Sequence, residues 1–186
     1  MKKNRKQLYI VPGWREKISK KSYQNLVAYA MQQGYSVLPI RYTSKKGFML
    51  SNNIVEVKKQ IVGDSSMSTI LGFSTGALIV YKIAEEVRFK KVIICSISPV
   101  LGKDIMLYPE SDRNEAFSKQ EIVELRKMKY GKMISPAVLV FGENEDKMVI
   151  SRSKKLLMKN NANVITVKNG KHALDAAYLK VIKQLL

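Results

Sequence analysis

The 186-residue chain has one cysteine, one histidine and one tryptophan, and its 15 acidic residues are outnumbered by 33 basic ones. A single cysteine excludes an internal disulfide framework. Cys95 falls in the apolar run Val92-Ile93-Ile94-Cys95, where a buried structural thiol is expected and a reducing compartment is compatible. No stretch approaches the roughly 18 apolar residues of a membrane span. The basic start Met1-Lys2-Lys3-Asn4-Arg5-Lys6 resembles the first region of an export signal, but the apolar stretch at 8–11 stops at Pro12-Gly13, too early for export. These absences predict a soluble, cytoplasmic protein with no membrane span. With no internal repeat and no low-complexity tract, residues 1–186 read as one domain with a sizeable core, preceded by a basic extension at 1–7.

The shortage of acid leaves a net charge of +18, which has two readings. It can mark a site for a polyanion, or it can be a solvated, lysine-rich surface. Only 7 of the 33 basic residues are arginine, the side chain suited to bidentate phosphate and base contacts, and they are scattered. No arginine–aromatic cluster accompanies them. The solvated surface is therefore the expectation, nucleic acid is not an expected partner, and a polyanion-binding protein stays as an alternative.

What is present is a regular alternation. Residues 8–11, 37–41, 68–71, 91–96, 137–141 and 163–167 read as six strands, most of them too uniformly apolar to be half exposed, as buried parallel strands are. Between them lie helical patterns. Tyr23, Leu26, Val27, Ala30 and Met31 recur at helical spacing with Gly34 just past the end, and Ile54, Val55, Ile61 and Val62 mark a second helix. Further helices are expected at 75–87, 118–128, 151–159 and 175–186. Strict strand–helix alternation implies an α/β fold: a three-layer, doubly wound sheet of six mainly parallel strands with helices on both faces. Reactive groups of such sheets gather beyond the C-terminal ends of the strands.

Chemistry-bearing residues fall at those ends. Gly72-Phe73-Ser74-Thr75-Gly76 matches G-x-S-x-G, follows a strand and opens a helix, the context a nucleophile elbow needs. The serine of such an elbow sits in a strained turn, so positions two before and two after must lack a side chain, as Gly72 and Gly76 do. The following helix aims its N-terminus and the Thr75 N–H at charge developing near Ser74. His172, the sole histidine, lies between the last strand and the last helix, where it can act as base toward Ser74. The loop Gly142-Glu143-Asn144-Glu145-Asp146 offers the acid that would orient it: Asp146 first, Glu145 second, with Asp104 after the fourth strand as another candidate. The first strand ends in Pro12-Gly13-Trp14, whose turn can present the Trp14 N–H as a second oxyanion donor.

In this order the motifs resemble the α/β-hydrolase superfamily, over about residue 8 to the C-terminus. The order serine, acid, histidine is that family's own. The resemblance implies a minimal, capless member in which Ser74, Asp146 and His172 form the triad and the N–H groups of Trp14 and Thr75 the oxyanion hole. Three positions depart from the pattern: Pro12-Gly13 replaces His-Gly, Phe73 replaces the histidine often found before the nucleophile, and the acidic loop is one residue longer than Gly-x-x-Asp. The connection at 99–117 reads as a small flap forming an apolar wall. The expected activity is a serine hydrolase that cleaves a small carboxylic ester or thioester through an acyl-enzyme on Ser74, without metal or organic cofactor. A hydrolase fold used without catalysis, as a binding or regulatory protein, is the alternative from another class.

Overall fold

The computed structural model describes residues 6–43, 45–47 and 49–186. Among these residues six strands, β1 (Lys6–Val11), β2 (Tyr35–Pro39), β3 (Ser68–Phe73), β4 (Lys91–Cys95), β5 (Ala137–Gly142) and β6 (Asn163–Val167), form one sheet in the order β2-β1-β3-β4-β5-β6. Every neighbouring pair is parallel. Of the expected basic extension, residues 1–5 lie outside the described residues, and Lys6 and Gln7 belong to β1.

Among the described residues seven α-helices join or flank the strands: α1 (Lys21–Gln32), α2 (Leu50–Gln60), α3 (Thr75–Ala84), α4 (Glu110–Ala116), α5 (Lys119–Lys127), α6 (Lys147–Asn160) and α7 (Ala176–Leu185). Strand pleating sorts the core into two layers. Leu8, Ile10, Leu71, Phe73, Ile93, Cys95, Val138 and Val140 pack with Tyr23 and Leu26 of α1 and Tyr178 and Ile182 of α7. Tyr9, Val11, Ile70, Val92, Ile94 and Leu139 face the other way, onto Val57 of α2, Leu78 and Ile79 of α3, Leu125 of α5 and Leu156 of α6. Almost all of α3 is buried, and each Leu, Ile or Val removed from water there contributes about 1.5–3 kcal/mol. Among the described residues no helix is long and apolar enough to cross a membrane.

Some boundaries differ from the sequence expectation for local reasons. β2 starts at Tyr35, because Gly34 (φ +83°) ends α1 and the strand begins at once. β4 stops at Cys95, since Ser96 takes a left-handed φ of +50°. α4 was not expected: its sequence ESDRNEA has no apolar stripe, and it starts directly after Pro109. In α2 the buried positions are Leu50, Asn53 and Val57, whereas Val55 is half exposed.

β1 has β2 on one side and β3 on the other, so chain direction across the sheet reverses between β1 and β3. That is the switch point at which α/β sheets open a crevice beyond the strand ends. Pro12-Gly13 and Ser74 follow these two strands.

Candidate active site

Ser74 connects β3 to α3 with φ +55° and ψ −120°, a conformation that costs of order 1–3 kcal/mol and persists only where its surroundings enforce it. Its N–H donates to the Cys95 carbonyl at 2.9 Å. A Cβ on Gly72 would fall 2.4 Å from the Gly76 carbonyl oxygen, and one on Gly76 would fall 2.2 Å from that of Pro12. Both neighbours are backbone and neither can yield. The glycines thus let the β3–α3 turn fold tightly and press the start of α3 against the end of β1.

A second close approach brings base and acid together. A Cβ on Gly142 would meet the Gly170 carbonyl oxygen at 2.3 Å, so the loops after β5 and β6 touch. The Glu143 N–H donates to Val167 and the Asn144 N–H to Gly170, both at 2.9 Å. His172 and Glu145 stand on these clamped loops. His172 Nε2 lies 2.9 Å from Ser74 Oγ, and Nδ1 lies 2.9 Å from Glu145 Oε2. The Phe73 ring packs against the imidazole with centroids 5.5 Å apart.

The Glu145 side chain is shut off from solvent, while that of His172 is 42% exposed. Glu145 Oε1 accepts from the Ser96 and Tyr178 hydroxyls and from the Gly142 N–H, leaving Oε2 to the imidazole. Burial alone would raise the carboxyl, but the bonds from His172, Ser96, Tyr178 and Gly142 outweigh it and hold Glu145 below its usual range. Burial, and then the neighbouring Glu145, pushes the Tyr178 phenol up, so it remains a donor. An ionised Glu145 fixes the proton on Nδ1, which leaves the Nε2 lone pair free to accept from Ser74.

The carboxylate that reaches the imidazole is the second of the sequence candidates and not the first. Asp146 caps α6, accepting the Met148 N–H at 2.7 Å, and does not bond His172. Asp104 is ion-paired with Arg152. Of the three candidates, only Glu145 reaches the imidazole. Ser96, Tyr178 and Ser98, whose hydroxyl lies 3.2 Å from Ser74 Oγ, were not singled out from sequence. They are ordinary residue types in ordinary patterns, and only the fold brings them here.

On the other side of Ser74, the turn after β1 is braced. Glu16 accepts from Tyr23 at 2.6 Å, from Lys20 at 2.6 Å and from the Gly13 N–H at 3.3 Å, and the Gly13 N–H also reaches the Tyr23 oxygen at 3.1 Å. Burial works against the Glu16 charge, but the bonds from Lys20 and Tyr23 outweigh it and keep this carboxyl low. With Gly13 so held, Trp14 follows at the cleft wall.

The cleft beside Ser74 has a volume of about 400 Å³ and is lined in part by Trp14, Thr75, Leu78, Val100 and Phe117. Trp14 and Phe117 stack at 6.4 Å. From the 99–117 connection, Tyr108, Asp112, Arg113, Ala116 and Phe117 contribute, so this wall is mixed and not purely apolar. Ile105 is buried, and Leu107 is largely exposed. Among the described residues no group of three or more His, Cys, Asp or Glu side chains gathers in a metal-binding arrangement.

No protein-family model matches this sequence, and no curated protein matches it either. Solved structures do. Est1E from Butyrivibrio proteoclasticus, with ferulic acid bound, superposes with a TM-score of 0.76 at 13% identity, covering 97% of this chain and 86% of that one. Alpha/beta hydrolase domain-containing protein 10 from mouse gives 0.73 at 11% identity over 96% and 87% of the two chains. The ydeN gene product of B. subtilis gives 0.65 at 15% identity over 90% and 87%. The chain has the α/β-hydrolase fold.

Proposed function

We propose that this protein is a serine hydrolase that cleaves a small carboxylic ester or thioester through an acyl-enzyme on Ser74. The observation that carries the reading is the unbroken relay Ser74 Oγ, His172 Nε2, His172 Nδ1, Glu145 Oε2, with 2.9 Å at each of its two hydrogen-bonded steps, its serine lining a cleft. Ser74 Oγ attacks the acyl carbon while His172 Nε2 takes its proton, and buried Glu145 stabilises the imidazolium that forms. The carbonyl oxygen gains the charge. The Thr75 N–H at the start of α3 and the Trp14 N–H of the braced turn are the donors assigned to it. His172 then protonates the leaving alkoxide or thiolate. Water enters, gives its proton to the same nitrogen and attacks the acyl carbon, releasing the acid and restoring Ser74.

The test is rapid mixing with a chromogenic ester. An acyl-enzyme mechanism with slow deacylation gives a burst of leaving group stoichiometric with enzyme, absent in Ser74→Ala and in His172→Ala. Undiminished turnover in either folded variant overturns the proposal.

A further inference from the structure

Along α2 the buried stripe is Leu50, Asn53 and Val57, so a carboxamide occupies the middle of the face turned to the core. Asn53 is 7% exposed, and its Oδ1 is sealed from solvent with no hydrogen-bond partner. An unpaired buried amide is costly, and a leucine at this position would fit the stripe without that cost. Two other polar groups of the cleft wall are occupied: Glu121 accepts from the Gly47 and Ser118 N–H groups at 2.7 Å, and the Ser98 hydroxyl lies 3.2 Å from that of Ser74. Asn53 instead lies in the wall of the cleft that holds Ser74, among the apolar side chains of Leu50, Leu78, Val100, Phe117 and Leu125.

We infer that the Asn53 carboxamide recognises a hydrogen-bonding group, a hydroxyl or an amide, carried on the otherwise apolar part of the substrate that fills the cleft. A half-turn of the amide offers either its N–H donors or its carbonyl acceptor, so both kinds of group match it. The inference rests on the hydrolase reading for the identity of this cleft as the substrate site. A ligand group that draws the amide round to face the cleft gives Oδ1 a partner that the free protein lacks, whereas an apolar isostere does not. Recognition of this kind discriminates more sharply than the fit of one methyl group.

The experiment measures binding by calorimetry on Ser74→Ala protein, so that it does not depend on turnover. Two series of probes are used over a range of chain lengths: methyl esters of ω-hydroxy acids with their ω-methyl isosteres, and monoacetates of diols with the matching alkyl acetates. The expected result is roughly tenfold tighter binding of the hydroxyl member in at least one series, with the difference erased by Asn53→Leu and by Asn53→Ala on the same background. Equal binding of the isosteres, no binding of either, or a preference that survives both substitutions overturns the inference. Wild-type hydrolysis of the same esters is recorded separately. Discrimination without any hydrolysis sinks the hydrolase reading and leaves Asn53 as a recognition residue, while hydrolysis without discrimination does the reverse.

Discussion

Replacing Glu145 by Gln sets the demands of His172 against those of the other three partners. Glu145 Oε1 accepts from Ser96, Tyr178 and the Gly142 N–H, and Oε2 faces His172 Nδ1. A glutamine has one acceptor end. Turned toward Gly142, whose N–H cannot rotate away, it presents its NH₂ to Nδ1, forces the ring proton onto Nε2 and takes from His172 the lone pair that would accept the Ser74 proton. Turned the other way, it sets NH₂ against a backbone donor in a site closed to water, a loss of about 1–3 kcal/mol. The first arrangement is the cheaper, so the expected loss is that of a base held in the wrong tautomer, about 10³- to 10⁴-fold in kcat, or about 4–5.5 kcal/mol of transition-state stabilisation. Asp146→Asn is the control, because asparagine caps a helix about as well as aspartate, and it should change kcat by less than about twofold. Steady-state kinetics on a chromogenic ester, with circular dichroism to establish folding, decides the matter. A collapse in Asp146→Asn with activity retained in Glu145→Gln would show that Glu145 does not orient His172.

Ser74→Gly removes the nucleophile but also releases the strained φ of +55°, so it should abolish turnover while raising stability by about 1 kcal/mol after the entropic cost of glycine, read as a higher Tm. An unchanged or lower Tm counts against stored strain. Gly76→Ala drives a Cβ into the backbone of β1 and should cost about 3 kcal/mol in urea unfolding. A loss below about 1 kcal/mol shows that the elbow can yield. Glu145 and Glu16 both have depressed carboxyl values in the folded state, so the stability they contribute is complete above the unfolded value of about 4.3 and is lost as pH falls through the folded values. Thermal melts should therefore be insensitive to these groups near neutrality and fall steeply below about pH 4, with a shallower fall in the Glu16→Gln, Glu145→Gln double variant. Equal slopes contradict that assignment.

The parallel strands and the tight glycine-flanked turn at Ser74 were legible in sequence because each rests on local chemistry. Parallel strands buried on both faces read as apolar runs, and G-x-S-x-G carries its own steric reason, visible in the Pro12 carbonyl packed over Gly76. His172 stood out because the chain offers no other histidine. The carboxylate that faces it did not. Glu145 and Asp146 are adjacent, and which one turns to the imidazole depends on where α6 begins: Asp146 is drawn into capping that helix, and Glu145 is left facing the loop after β6. Its partners Ser96 and Tyr178 come from positions 49 and 33 residues away, a proximity that no motif encodes. In α2, helical spacing pointed to Ile54, Val55, Ile61 and Val62, yet the buried face runs through Leu50, Asn53 and Val57. A polar residue held on the core side breaks the periodicity by which such a face is recognised.

Whether His172 activates Ser74 is read by mass-spectrometric labelling with a fluorophosphonate. The expected result is one adduct per chain, on Ser74, absent in Ser74→Ala and lost in folded His172→Ala. A folded wild-type protein that takes up no label, or a His172→Ala variant that labels as fast as wild type, would contradict it.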